Sequence, residues 1–200
     1  MGGCLEPELG GDALTSTSPP IGPVHYHTAC QMLSHPAARL LWCLVGAAAG
    51  MALALAVSGP PLTPFLLASL GGSAVFLFGL TRAPAAQPRA LLGGHLGGAA
   101  IGIACYQAFG ESLAVYVLAL VLALAVMLIT RTVHPPAGAN PVLMVYVHAA
   151  WPVLWQPVLL GISALVFVAI VWSRLYPGLA RYPVAPLEPS PPSLTWGGWA

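Results

Sequence analysis

The chain has 200 residues, 58% of them hydrophobic and only 6% charged, with six basic side chains against five acidic ones. A water-facing domain carries about a quarter charged residues, so this chain cannot clothe a soluble surface. Near-neutral net charge and the lack of a basic run to track phosphates exclude nucleic acid as a partner; the expected surroundings are the lipid bilayer.

The start of the chain is acidic and rich in Gly, Ser, Thr and Pro, without the basic region and apolar core of a signal peptide. Residues 1–34 are expected as a disordered tail. A first apolar run covers 40–57, introduced by His35-Pro36 and Arg39 and closed by Gly59-Pro60-Pro61. Thr63-Pro64 reads as a cap followed by proline and opens a second span to about Leu80, with a weak point at Gly71-Gly72-Ser73. Gln87-Pro88 opens a third span to about Gln107. Its Gly94, Gly98 and Gly102 form a groove that admits another helix, from this chain or from a second copy in a homo-oligomer. After Gly110-Glu111 a fourth span runs over 112–130. Each run is near the roughly 20 residues that cross a bilayer.

The apolar pattern then breaks at Thr130-Arg131-Thr132-Val133-His134-Pro135-Pro136-Ala137-Gly138-Ala139-Asn140-Pro141. Asn140-Pro141 repeats the cap-then-proline signal and starts a helix to about Ala150, too short to cross alone. Gln156-Pro157 opens the last span, ending near Arg174. Residues 35–176 thus form the transmembrane domain, and 177–200 a Pro-rich C-terminal tail. All basic residues are arginine. If 132–150 crosses as an extended half followed by a short helix, Arg39, Arg82, Arg89, Arg131, Arg174 and Arg181 all fall on one side. The positive-inside rule then makes both termini cytoplasmic, in a multi-pass protein of the cell membrane, expected as a bacterial inner membrane. The fold class is all-α: a polytopic bundle of about six crossings with a broken span. The matching Pro-Pro and cap-proline pairs, and the two Gln-Pro openings, are consistent with two inverted three-helix repeats.

The run from Thr130 to Ala139 resembles the signature of the HPP family of integral membrane proteins. Further matches are Ala68-Ser69-Leu70-Gly71-Gly72-Ser73-Ala74-Val75, Ala86-Gln87-Pro88-Arg89 and Gly93-Gly94-His95-Leu96. The chain departs from the family pattern at Gly72 and at Asn140-Pro141. Some family members are associated with nitrite transport, so the resemblance implies a transporter or channel for a small anion.

A small anion needs convergent donors and positive potential. The helix start after Asn140 and the N–H groups at Gly71, Gly72 and Ser73 are expected to supply donors, and Arg131 offers a planar fork suited to an oxyanion. Arg131 reads equally as an anchor at the membrane edge. His95 and His134 are ionisable groups at membrane depth, where such groups mark ion and substrate pathways. The substrate-binding candidates are therefore Arg131, His134, Asn140, Ser73, His95, Gly71 and Gly72, with Pro135, Pro136 and Gly138 shaping the break. No cofactor and no metal are expected: His25-Tyr26-His27 with Cys30 lacks a fourth ligand. The chain is not expected to be an enzyme. A non-catalytic membrane scaffold is the alternative, and an intramembrane hydrolase using Ser73 with His95 or His134 is a further one.

Overall fold

The computed structural model describes residues 35–59, 64–176 and 179–193, with only the backbone of 64–67. The 1–34 tail, the Pro60-Pro61 and Thr63 signals, the His25-Tyr26-His27 group and the end of 177–200 lie outside the described residues. Among those described the chain is helical: α1 (Pro36–Ser58), α2 (Pro64–Gly79), α3 (Pro88–Phe109), α4 (Leu113–Thr130), α5 (Ala139–Tyr146) and α6 (Leu160–Leu175). Short tight turns precede α3, α5 and α6.

Local chemistry explains the ends. Pro36 occupies the first turn of α1, and the His35 ring accepts the Ala37 N–H at 3.2 Å. Ser112 caps α4 by accepting from the Val115 N–H at 3.3 Å. The C-terminus of α4 is a Schellman motif: Thr132 N–H donates to Met127 O (2.8 Å) and Arg131 N–H to Leu128 O (3.2 Å). Arg131 holds the left-handed position there, φ 56°, where glycine is usual.

α1, α4 and the 151–175 stretch are long and apolar enough to cross a membrane. Leu113, Val117, Val121 and Ile129 stand exposed along α4, a surface suited to lipid rather than water. Among the described residues the chain passes through the bundle as six segments, the fifth crossing being extended residues 132–134, a tight turn over Pro135–Gly138, and α5. Side-chain bonds locate both ends. At one, Arg89 donates to Thr130 O (2.8 Å), Arg131 to Pro191 O (3.2 Å) and Arg174 to Tyr182 O (3.1 Å). At the other, Trp151 donates to Gln107 (3.0 Å), and Glu111 meets His148 (2.6 Å) and Tyr116 (2.5 Å). Packing follows a two-fold exchange between halves: α1 lies on α6 as α4 lies on α3, and α2 lies on α6 as α5 lies on α3.

Three expectations change. α2 runs unbroken through Gly71-Gly72-Ser73. Away from water nothing competes for its backbone hydrogen bonds, so two glycines do not open it, and the N–H groups of Gly71 and Gly72 are not free for a ligand. α5 starts at Ala139, with Asn140 inside it and no side-chain cap, and it ends at Tyr146 rather than near Ala150.

The third change concerns the C-terminal stretch expected as a tail. Residues 179–193 pack as a strap across the arginine end. The Gln87 side chain, wholly buried, donates to Thr81 O and Ala83 O and accepts from the N–H groups of Val184 and Ala185, all within 3.0–3.1 Å. Tyr182 is also wholly buried and donates to Ala86 O at 2.9 Å, and burial pushes its phenol pKa up. Ser190 pairs with the start of the fifth crossing, exchanging backbone bonds with Arg131 and Val133 (2.9 and 2.8 Å).

Candidate functional site

The fifth crossing seats against α3 because α3 is glycine where they touch. A methyl at Gly94 would stand 3.0 Å from His134 Cβ, one at Gly98 3.0 Å from Ala137 O, and one at Gly102 2.5 Å from Pro141 O. The groove is filled from within the chain. On the opposite side Gly72 of α2 admits the Pro136 ring, which a methyl would meet at 2.9 Å. Gly72 therefore acts through close approach rather than through its N–H. Gly71 and Gly138 have nothing in reach of an added Cβ, and Gly138 has an ordinary helical φ of −60°.

This packing brings Ser69 and Ser73 of α2, His95 of α3, His134 of the extended segment and Asn140 of α5 into one cluster. Each is at most 2% exposed, so no bulk water reaches any of them. Ser73 Oγ lies 2.8 Å from Nε2 of both His95 and His134. His134 Nδ1 lies 2.7 Å from Ala85 O. Asn140 Nδ2 lies 3.0 Å from His95 Nδ1 and 3.1 Å from His95 O, and Ser69 donates to Asn140 Oδ1 at 2.8 Å.

The partners assign the protons. A carbonyl only accepts, so His134 carries its proton on Nδ1, facing Ala85 O. The same rule at His95 O makes Nδ2 the inward amide atom of Asn140; it donates to His95 Nδ1, which places the His95 proton on Nε2. Ser73 therefore accepts from His95 and donates to His134. Every buried polar atom of these side chains has a partner with both rings neutral.

The cluster also accommodates one further proton without moving a heavy atom. Ser73 Oγ lies 2.9 Å from Ser69 O, a second acceptor for its hydroxyl. When the hydroxyl turns there, His134 Nε2 can carry a proton and donate it to Ser73. Ser73 then accepts from both rings and donates to Ser69 O, so no group is orphaned. A third neighbour, the Phe76 ring, meets His134 edge-on at 5.3 Å.

Among the predicted site residues, Ser73, His95, His134 and Asn140 come together. Arg131 does not: its guanidinium donates to the carbonyls of Pro191 and Pro192 in the strap. A helix C-cap in the left-handed conformation leaves its side chain at the bundle end, away from the cluster. Pro135 and Pro136 open the tight turn, and Pro136 O, 3.1 Å from Ser69 Oγ, is the alternative acceptor for the one proton that Ser69 gives to Asn140. Sequence reasoning missed Ser69, although its position four residues before Ser73 puts both on one helix face. It also missed Gln87, read as a helix opening and now seen as a buried four-bond clamp.

Residues 32–183 match the family described as HPP, transmembrane region. Two transmembrane proteins of Dictyostelium discoideum are similar. One is 32% identical over 130 residues, covering 61% of this chain and 42% of that protein; the other is 34% identical over 125 residues, covering 56% and 44%. The chain thus spans less than half the length of these curated relatives. No solved structure matches. With its His134-Pro135-Pro136 turn inside the match, the chain belongs to the HPP family of transmembrane proteins.

Proposed function

We propose that the protein is a secondary transporter that moves a small anion together with a proton through the Ser73-His95-His134-Asn140 cluster. Nitrite is the candidate anion that the family resemblance implies. The observation that carries the reading is a buried polar cluster whose hydrogen bonds also close with one additional proton. Among the described residues no arginine reaches it, so an anion there has no fixed counter-charge. An uncompensated charge in such a place is costly, and protonated His134 supplies the balancing charge. The transport cycle is then electroneutral. Residues of the broken crossing line the pathway, as in other transporters with interrupted helices. The arginine end faces the cytoplasm of the cell membrane by the positive-inside rule.

The test is nitrite uptake into proteoliposomes, measured against empty liposomes. An outside-acid pH gradient should drive uptake, and a potassium diffusion potential should not. Ser73→Ala and His134→Gln should abolish the gradient-driven component. Uptake that follows voltage instead of pH, or wild-type flux equal to empty liposomes for nitrite, nitrate and related anions, refutes the proposal.

One observation favours a second reading. Ser73 and His134 form a 2.8 Å pair in the tautomer a general base needs, with His134 oriented by Ala85 O. His95 holds the opposite tautomer and cannot serve. Against hydrolysis, Ser73 is wholly buried within a continuous helix that leaves no backbone N–H for an oxyanion. Labelling of Ser73 by a fluorophosphonate would establish the enzyme reading in place of transport.

A further inference from the structure

A second polar feature lies apart from the cluster, at the arginine end. A cavity of about 540 Å³ opens between the start of α1, the end of α2, α6 and the strap, with Arg39, Arg82, Trp42, Trp172 and Tyr182 in its wall. Trp42 and Trp172 stack with ring centroids 4.3 Å apart, and Trp172 donates to Trp42 O at 3.0 Å. The Trp42 indole N–H is buried and has no hydrogen-bond partner among the described residues. Among the described residues no carboxylate lines the cavity. Its charged chemistry is that of two guanidiniums, Arg39 and Arg82, which only donate.

The remainder of the wall is apolar, with Leu77 and Phe78 among it, and the volume exceeds what a bare oxyanion fills. Arg39 and Trp42 sit in the first two turns of α1, next to the exposed Leu40, Leu41 and Leu44 that face lipid. Arginine and tryptophan together at a span's end mark the headgroup layer. We propose that this cavity binds a phosphate-bearing anion with an apolar body, the two arginines holding the phosphate and the tryptophan pair the adjoining chain. An anionic phospholipid and a soluble phosphate share that chemistry.

The experiment is native mass spectrometry and thermal unfolding of the purified protein, with phosphatidylglycerol, phosphatidylcholine or inorganic phosphate added separately. Phosphatidylglycerol should be retained in preference to phosphatidylcholine. The Arg39→Gln/Arg82→Gln variant should lose that preference by roughly tenfold or more, whereas Arg181→Gln, outside the cavity, should keep it. Trp42→Phe, which keeps an aromatic face beside Trp172 and removes the indole N–H, should weaken retention less. Stabilisation by inorganic phosphate alone, lost in the same double variant, would support the site with a soluble anion as its source. No preference for either phosphate source, or an equal loss in Arg181→Gln, overturns the proposal. These readouts involve no transport, so they stand or fall separately from the function proposed for the cluster.

Discussion

Replacing Gly102 with alanine tests whether the cluster depends on the seat of the fifth crossing on α3. The new methyl would lie 2.5 Å from Pro141 O, 2.7 Å from Pro141 Cα and 2.8 Å from Met144 Cβ. Two of these are backbone atoms that no rotamer change can move. Carbon contacts settle near 3.5–4.0 Å, so α5 must retreat by about 1 Å. Asn140, adjacent to Pro141, reaches His95 Nδ1 and O at 3.0 and 3.1 Å, and a retreat of about 1 Å takes both beyond hydrogen-bond range. Overpacking costs about 1–3 kcal/mol and an orphaned buried group about 1–3 kcal/mol more, while alanine in a helix returns roughly 0.5–1 kcal/mol. The net loss is on the order of 2–4 kcal/mol. Gly97→Ala is the matched control. Its methyl meets only Val126 Cγ1 at 3.7 Å, an ordinary contact, so only the helix gain remains. Thermal unfolding in detergent should show Gly102→Ala well below wild type and Gly97→Ala at or above it. Equal midpoints for the two variants would refute the argument that the glycines fix the geometry of the cluster.

Other expectations follow from single contacts. Arg131→Gly relieves the left-handed strain that Arg131→Ala keeps, and both lose the strap bonds; the glycine variant should be more stable by about 1 kcal/mol in the same assay. Under the proposed function both should retain proton-coupled uptake, because Arg131 lies off the cluster. Gln87→Ala removes the clamp on Val184 and Ala185 and should make the 183–193 segment cleavable by a protease that leaves wild type intact. At the far end, hydrogen bonds from Tyr116 and then His148 hold the Glu111 carboxyl below its ordinary 4.5. Its folded pKa is depressed, so its contribution to stability is present above pH 4.5 and is lost as pH falls below that value. The unfolding midpoint of Glu111→Gln should therefore fall less steeply on acidification than that of wild type.

Much of the fold was legible because bilayer solvent leaves few choices. Apolar runs of spanning length, proline openings and arginine placement sufficed to count the traversals. His95, His134 and Ser73 stood out as polar residues in greasy surroundings, and burial joined them. What the sequence hid was direction. Nothing in Arg131 reveals that its backbone closes a Schellman motif without glycine and so aims the guanidinium at the strap. Gly71-Gly72 looked like a helix break because glycine propensity is measured in water; in the bundle, Gly72 is a contact for Pro136. The strap was illegible because its anchors are mostly backbone atoms, and proline-rich sequence hides backbone partners. Gln87 and Tyr182 are its wholly buried side-chain anchors.

The hydrogen-bonded chain from Asn140 through His95 and Ser73 to His134 has a consequence in how its ends are made. A carboxamide does not give up a proton at physiological pH, and a backbone carbonyl has none to give. Asn140 stops one end of the chain and Ala85 O the other. Charge can shuttle among the imidazoles and the hydroxyl, yet it has no outlet to either side of the membrane while both stoppers are in place. A membrane protein with buried histidines risks short-circuiting the proton gradient. Under the proposed function the two ends act as insulators, and the gradient is protected in every state in which nothing has displaced them.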